Sequence, residues 1–201
     1  MNNNDKKNFV FLWGVVFLIL LFTSSVFAED AYKIDPTHST FGFAVKHMQV
    51  GVTRGTFTDF RGEIRYDQDN LEGFKAWIVV STESIDTRLE ARDKHLKNKD
   101  FFDVENYPTI IFIGKKLLKN GDGYEIVGEL TMRGVTKKVS GYVTLRGPVE
   151  SPFGGEVIGV SGETVINRQD YNISWNDTMP DGGFVVSNDV RIIIDIEADK
   201  K

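Results

Sequence analysis

Hydrophobic and polar residues alternate along most of the chain beyond residue 40, which is the period of strands that bury one face. In residues 124–132 the even positions carry Tyr, Ile, Gly, Leu and Met, whereas Glu and Thr occupy most of the odd positions. Similar strand patterns occur in residues 41–45, 52–57, 62–66, 75–81, 109–115, 139–145, 157–167 and 190–196. The pattern predicts an all-β domain of about eight strands.

Clusters of Gly, Asn, Asp and Pro separate these strands, and such residues favour tight turns. The clearest clusters are residues 67–70, 120–123, 151–155 and 180–183. Short turns between strands indicate antiparallel hairpins, which build either a sandwich or a closed barrel. A barrel of eight strands is wide enough to hold one small ligand.

One segment, residues 87–103, departs from the alternation. Thr87 and Glu90 have the spacing of a capping box, which predicts a helix from about Arg88 to Lys97. The helix carries many charges, and Phe101 and Phe102 follow it. This composition suits a lid over the β-structure, and the alternative is a solvated surface helix held by the two phenylalanines.

The N-terminal residues 1–28 have the pattern of an export signal. Lys6 and Lys7 precede an apolar run at residues 9–22, and residues 26–28 (VFA) offer a cleavage site. We expect the mature chain to begin at Glu29 and to be periplasmic or secreted. The alternative is an uncleaved membrane anchor, since 20 residues can just span a bilayer.

Composition narrows the chemistry of the mature domain, residues 29–201. Loss of residues 1–28 moves the net charge from -5 to -6, so nucleic acid is not an expected partner. The chain has no cysteine, which excludes disulfides and thiolate catalysis. One domain of this length can bury a sizeable core.

Candidate catalytic residues are sparse. Asp35, His38 and Ser39 have the residue types of a hydrolase triad, but triad members converge from separated segments, and here they are neighbours. A metal-dependent enzyme would use His38, His47 and His95 with a carboxylate such as Asp93. The odd spacing between His38 and His47 places them on opposite strand faces unless a bulge intervenes. We therefore predict no catalytic residues, no metal and no cofactor.

A series of sequence blocks, taken in order, resembles the YceI-like family of bacterial exported proteins. They are residues 34–39 (IDPTHS), 43–48 (FAVKHM), 55–57 (GTF), 84–87 (SIDT), 92–103 (RDKHLKNKDFFD), 128–136 (GELTMRGVT) and 167–171 (NRQDY). The resemblance implies a lipocalin-like antiparallel β-barrel with one short helix. It also implies an elongated apolar cavity for a polyisoprenoid or other long-chain amphiphilic lipid, often in a homodimer, without catalysis.

The expected function is therefore that of a carrier that transports, stores or sequesters such a lipid, with transient membrane contact. Strand alternation predicts a cavity lining made of Phe41, Phe43, Val45, Ile126, Leu130, Met132, Val143 and Ile194. Polar residues expected to act as a lid or to contact the head group are Arg92, Asp93, His95, His38 and His47. The alternatives are the metal-dependent enzyme and a β-module with a filled core that binds no ligand.

Overall fold

The computed structural model describes residues 30–201, which form one continuous antiparallel sheet of eleven strands. The strands are β1 (Ala31–Ile34), β2 (Thr40–His47), β3 (Gly51–Phe57), β4 (Phe60–Arg65), β5 (Lys75–Ser81), β6 (Ile85–Asp86), β7 (Thr109–Asn120), β8 (Gly123–Met132), β9 (Val135–Glu150), β10 (Glu156–Asn167) and β11 (Val186–Lys200). The α-helix is α1 (Glu90–Lys97), and short 3₁₀ helices occupy Leu71–Gly73, Thr82–Ser84 and Arg168–Tyr171.

The sheet closes on itself because β11 pairs with both β1 and β2. Ile34 lies opposite Ala198, and Thr40 lies opposite Asp195, so β1 and β2 follow one another along the same partner. In the same way β4 pairs with β1 and β3 pairs with β2; β5 then pairs with β4 and β6 pairs with β3. The strands β1 and β2, β4 and β3, and β5 and β6 therefore act as three bent barrel strands, and together with β7 to β11 they form a closed antiparallel barrel of eight strands. The predicted all-β barrel is confirmed, and the sandwich is not formed.

The observed strands include every predicted one, but their bounds differ at several ends. β7 extends five residues beyond the predicted end at Lys115, and β4 begins two residues before the predicted start at Gly62. The alternation did not reveal β1, a strand of four residues in which Tyr32 and Ile34 are buried and Lys33 is exposed. A pattern this short cannot be distinguished from a turn.

The predicted capping box at the start of the helix is wrong. Helix α1 begins at Glu90, its N-cap is Leu89, and no side chain caps it. The Thr87 hydroxyl instead donates to Asp93 Oδ1 at 2.5 Å and accepts from Arg92 Nε at 2.7 Å. The side chains of Arg92 and Asp93 on the helix therefore hold Thr87, which precedes the helix, and no side-chain cap is formed.

Two apolar clusters fill different parts of the barrel. The first includes Tyr32, Ile34, Ile158 and Ala198, all almost fully buried beside β1. The second cluster lies under α1 and joins the segment after the helix to the turn that follows β10; its members are Phe101, Leu130, Met132, Ile166, Tyr171 and Ile173. We call the barrel end covered by α1 and residues 168–175 the helical end.

The predicted signal peptide, residues 1–28, lies outside the described residues. Within residues 30–201 no helix has the length and apolar character needed to cross a membrane.

Candidate functional site

A cavity of about 400 Å³ lies inside the barrel and extends towards the helical end. Its wall is almost entirely apolar, and side chains from strands and from the α1 segment contribute to it. Ligand sites in proteins typically enclose about 300 to 1,000 Å³ and are lined mainly by apolar groups with a few polar ones. The cavity therefore has the size and surface of a site for an apolar ligand.

The structure places all the predicted lining residues on this cavity wall: Phe41, Phe43, Val45, Ile126, Leu130, Met132, Val143 and Ile194. They belong to β2, β8, β9 and β11, and each occupies the inward position of its strand. Their contact with a ligand stays a prediction.

The α1 segment covers part of the helical end and contributes both apolar and polar groups to the wall. Arg92, His95, Leu96, Phe101 and Phe102 all line the cavity. Leu96 and Phe102 also pack against both apolar clusters. The segment is therefore part of the enclosure, and a ligand that fills the cavity would contact it directly.

Of the polar residues predicted to contact a head group, Arg92, His95 and His47 lie on the cavity wall, whereas Asp93 and His38 are absent from the described lining. Asp93 turns away because its Oδ1 accepts from the Thr87 backbone amide at 2.9 Å as well as from the Thr87 hydroxyl. His38 lies in the turn between β1 and β2 and is exposed. The head-group role of all five residues is untested.

Aromatic ring contacts hold the helical end together. The His95 ring meets the Phe101 and Trp175 rings edge to face, at centroid distances of 5.0 and 4.9 Å. His95 Nε2 lies 3.0 Å from Asp100 Oδ2. These contacts join α1 to the segment that follows β10.

Comparison with known proteins identifies the family. The sequence model of the YceI-like domain matches residues 32–198. The chain belongs to the YceI family. Protein YceI of Salmonella agona is 36% identical over 194 residues, which cover 96% of this chain and 97% of that protein. A UPF0312 protein of Yersinia pestis is 35% identical over 188 residues, which cover 92% of this chain and 95% of that protein.

Solved structures share the barrel of this YceI-family chain. The crystal structure of a Campylobacter jejuni YCEI protein gives a TM-score of 0.66 at 30% identity and covers 78% of this chain and 90% of its own. BcnA of Burkholderia cenocepacia gives 0.72 at 23% identity, covering 82% and 99%. A polyisoprenoid binding domain from Saccharophagus degradans gives 0.62 at 16% identity, covering 85% and 98%. The last two show the fold alone.

His38 belongs to a separate surface cluster in this YceI-family chain. Its Nδ1 lies 2.6 Å from Asp35 Oδ2 and 3.9 Å from Glu197 Oε1. Hydrogen bonds from the Thr37 amide, His38 and the Thr37 hydroxyl lower the pKa of Asp35 to about 2. The bond to Asp35 and the nearby carboxylates raise the pKa of His38.

The predicted alternative of a metal site made by three histidines is not assembled within residues 30–201. The potential ligand group found there joins His38 to Asp35 and Glu197 and includes neither His47 nor His95. His47 and His95 line the cavity, whereas His38 lies in the turn that precedes β2. The three imidazoles therefore serve different parts of the barrel.

A buried arginine on the cavity wall of this YceI-family chain was not predicted. Arg168 is only 3% exposed. Its guanidinium donates to the backbone oxygens of Ser187, Ile173 and Trp175 at 2.7 to 3.0 Å. Burial lowers the pKa of Arg168, but a guanidinium keeps its proton in proteins. The block NRQDY contained this residue, yet its sequence position after a predicted strand gave no sign of burial.

Proposed function

We propose that this chain is an exported carrier that binds a polyisoprenoid or other long-chain amphiphile in the barrel cavity, for transport, storage or sequestration. The observation that supports the proposal is the apolar cavity of about 400 Å³ inside the barrel. The family and the polyisoprenoid binding domain that shares the fold point to a binding protein rather than an enzyme. Homodimer formation and transient membrane contact remain predictions.

The energetics of burial favour retention of such a ligand. Each buried methylene gains roughly 0.8 kcal/mol before entropy costs, so a tail with ten buried methylenes gains about 8 kcal/mol. A net gain of that size would correspond to micromolar affinity, and the costs of association mean that more than ten methylenes must be buried to reach it. A long apolar tail should therefore stay in the cavity through purification.

Mass spectrometry of the purified mature protein under native conditions tests the proposal. We expect a mass above that of the polypeptide, and solvent extraction should release the corresponding amphiphile. Protein stripped of lipid should then bind farnesol or another isoprenoid in titration. If no lipid is extracted and neither isoprenoids nor fatty amphiphiles bind, the barrel is a module without a ligand and the proposal is wrong.

The export signal leads to a separate prediction. Protein isolated from an exporting host should begin at Glu29, because the apolar run at residues 9–22 is followed by polar residues and a small residue before the cut. N-terminal sequencing of the soluble fraction measures this. Recovery of chains that start at Met1 in the membrane fraction would support the uncleaved anchor instead.

Exposed apolar side chains lie beside the cavity wall, in the turn between β2 and β3 and just before β11. Lys46 and Val185 both line the cavity, and Lys46 is exposed to solvent. The amide of Met48 donates to the Val185 carbonyl at 2.8 Å, so the turn between β2 and β3 contacts the segment before β11. Val50 in this turn is 93% exposed, and Phe184 is also exposed. We call the surface formed by Val50 and Phe184 the rim, and we propose that the rim touches a lipid bilayer while the amphiphile enters or leaves.

Replacement of Val50 by Asp should slow lipid transfer from vesicles by about tenfold, since losing the burial of one Val side chain in the bilayer costs about 1.5 kcal/mol. The measurement is the transfer rate of a fluorescent isoprenoid from vesicles to stripped protein. Phe153→Asp is the matched control. Phe153 is 97% exposed in the turn between β9 and β10, and its replacement by Asp adds the same charge as Val50→Asp. Equal rates for the two variants would show that the rim does not contact the membrane.

A further inference from the structure

Arg133, in the turn between β8 and β9, joins two segments that cover the helical end. Its guanidinium donates through Nη2 to the Lys99 carbonyl at 2.6 Å and through Nη1 to the Asn172 carbonyl. Lys99 follows α1, and Asn172 follows the last 3₁₀ helix. We call residues 98–103 and residues 168–175 the covering segments. Among residues 30–201, the described hydrogen bonds link these two segments through Arg133 and not directly.

The bridging side chain is carried by paired strands. Arg133 and Gly134 are the two residues of the turn, and both have positive φ, 48° and 73°. Such turns match the twist of antiparallel strands and make tight hairpins. Met132 and Val135 pair directly on either side of the turn, and the Tyr107 ring lies against Gly134 where a side chain would otherwise be. Arg133 therefore holds the covering segments to the barrel itself.

The covering segments supply cavity wall that is not held by strand pairing. Phe101 and Phe102 belong to the first segment and Ile173 and Trp175 to the second, and all four line the cavity. Most other lining residues lie on strands, which pair around the closed barrel. Parting two strands breaks a ladder of backbone hydrogen bonds, whereas parting the covering segments breaks no such ladder. A ligand can therefore pass between them without opening the sheet.

Apolar contacts also join the two sides of this passage. The Phe101 and Trp175 rings lie 5.2 Å apart between centroids, and the His95 ring of α1 lies 4.9 Å from that of Trp175. A passing apolar tail can take over such contacts, because hydrophobic contact is non-directional. The tail offers no acceptor to the Arg133 guanidinium, which has only donors. Separation of the segments therefore has to break the bonds of Arg133.

We propose that Arg133 is a clasp that sets the rate at which the amphiphile enters and leaves the barrel between the covering segments. The inference rests on the proposed carrier function and concerns its rates. Arg133 is not among the described cavity residues, so its bonds stabilise the loaded and the empty barrel alike. A contact that opposes opening equally in both states slows entry and exit by the same factor and leaves the dissociation constant unchanged.

Replacement of Arg133 by Asn tests the clasp. Asn is at ease at positive φ, so the turn should keep its shape, but its side chain is too short to bridge two carbonyls. We expect the association and dissociation rates of a fluorescent farnesol analogue both to rise about tenfold, because two bonds from a charged donor are lost. The dissociation constant should stay within about twofold of the native value. Stopped-flow binding to stripped protein and displacement by unlabelled farnesol measure both rates.

Arg146→Asn is the matched control. Arg146 is exposed and donates to Ser161 within the β9–β10 ladder, so this change should leave both rates at the native value. Native rates in Arg133→Asn would overturn the clasp. So would a weaker dissociation constant with a native association rate, because Arg133 would then contribute to affinity and not to opening.

A cross-link supplies the opposite change. The chain has no cysteine, so Lys99→Cys and Ser174→Cys, both at exposed positions in the covering segments, can be joined by a short bis-methanethiosulfonate reagent. The linked protein should bind and release the analogue more slowly than the unlinked variant, and reduction of the link should restore the rates. Equal rates before and after linking would show that the ligand passes elsewhere, which overturns the clasp.

Hydrogen exchange separates this inference from the carrier function, because it needs no ligand. The amides of Phe102 and Ile173 donate to the carbonyls of Leu96 and Arg168. In Arg133→Asn these amides should exchange faster, whereas amides in the paired strands β10 and β11 should keep their rates. Unchanged exchange at Phe102 and Ile173 overturns the clasp even if the protein carries lipid. Failure of the native protein to bind any isoprenoid overturns the carrier function instead.

Discussion

Replacement of Leu130 by Trp is expected to abolish amphiphile binding while the barrel stays folded. Leu130 lies on β8 and lines the cavity, so a larger ring at this position would occupy the space of the lipid tail. Because empty volume receives the ring, the free energy of unfolding should fall by less than about 1 kcal/mol. Extracted lipid should drop to background, and farnesol titration should give no signal.

Val127→Trp is the matched control for this change. Val127 lies three positions earlier on the same strand but is not among the described cavity residues, so the larger side chain should leave ligand binding unchanged. In a filled core, Leu130→Trp would overpack and typically cost 1 to 3 kcal/mol. A large loss of stability without any loss of bound lipid would therefore contradict the cavity.

Replacement of Arg168 by Met should give the largest loss of stability among the variants discussed. The change leaves the backbone oxygens of Ser187, Ile173 and Trp175 without their donor. A buried acceptor without a partner costs about 1 to 3 kcal/mol, so the free energy of unfolding should fall by about 3 kcal/mol or more. Urea denaturation followed by circular dichroism measures it.

Two comparisons make the Arg168 result specific. Arg146→Met removes an exposed guanidinium and should change the free energy of unfolding by no more than about 0.5 kcal/mol. Arg168→Lys keeps a charge but offers a single nitrogen, and it should fall between the native protein and Arg168→Met. If Arg168→Met were as stable as the native protein, its bonds would not hold the segment around Trp175 in place.

Much of the barrel follows from the alternation of side chains, because each inward position of a long strand must be apolar. Residues 124–132 and 190–196 are long enough for the pattern to fix which side chains face inward. Closure into a barrel does not follow in the same way. It depends on β1, whose four residues are too few to show a period, and on its pairing with β11.

The cavity lining could be predicted for the same reason as the strands, whereas the sequence could not show which of the predicted polar residues reach the cavity. Arg92 and Asp93 are neighbours in sequence, but only the structure shows that Arg92 lines the cavity and Asp93 turns to Thr87. Arg168 is harder still. Its burial results from carbonyls supplied by residues 173–175 and 187, which converge only after the chain has turned back towards β11.

The double pairing of β11 sets the order in which the chain can complete its fold. β1 and β2 need partners that lie about 150 residues later, between Val186 and Lys200. A chain synthesised from its N-terminus therefore keeps open strand edges until its last strand is available, and open edges favour aggregation. Contacts between residues this far apart in sequence also form slowly. Removal of the last strand would consequently affect the whole barrel, because it exposes the edges of β1, β2 and β10 together.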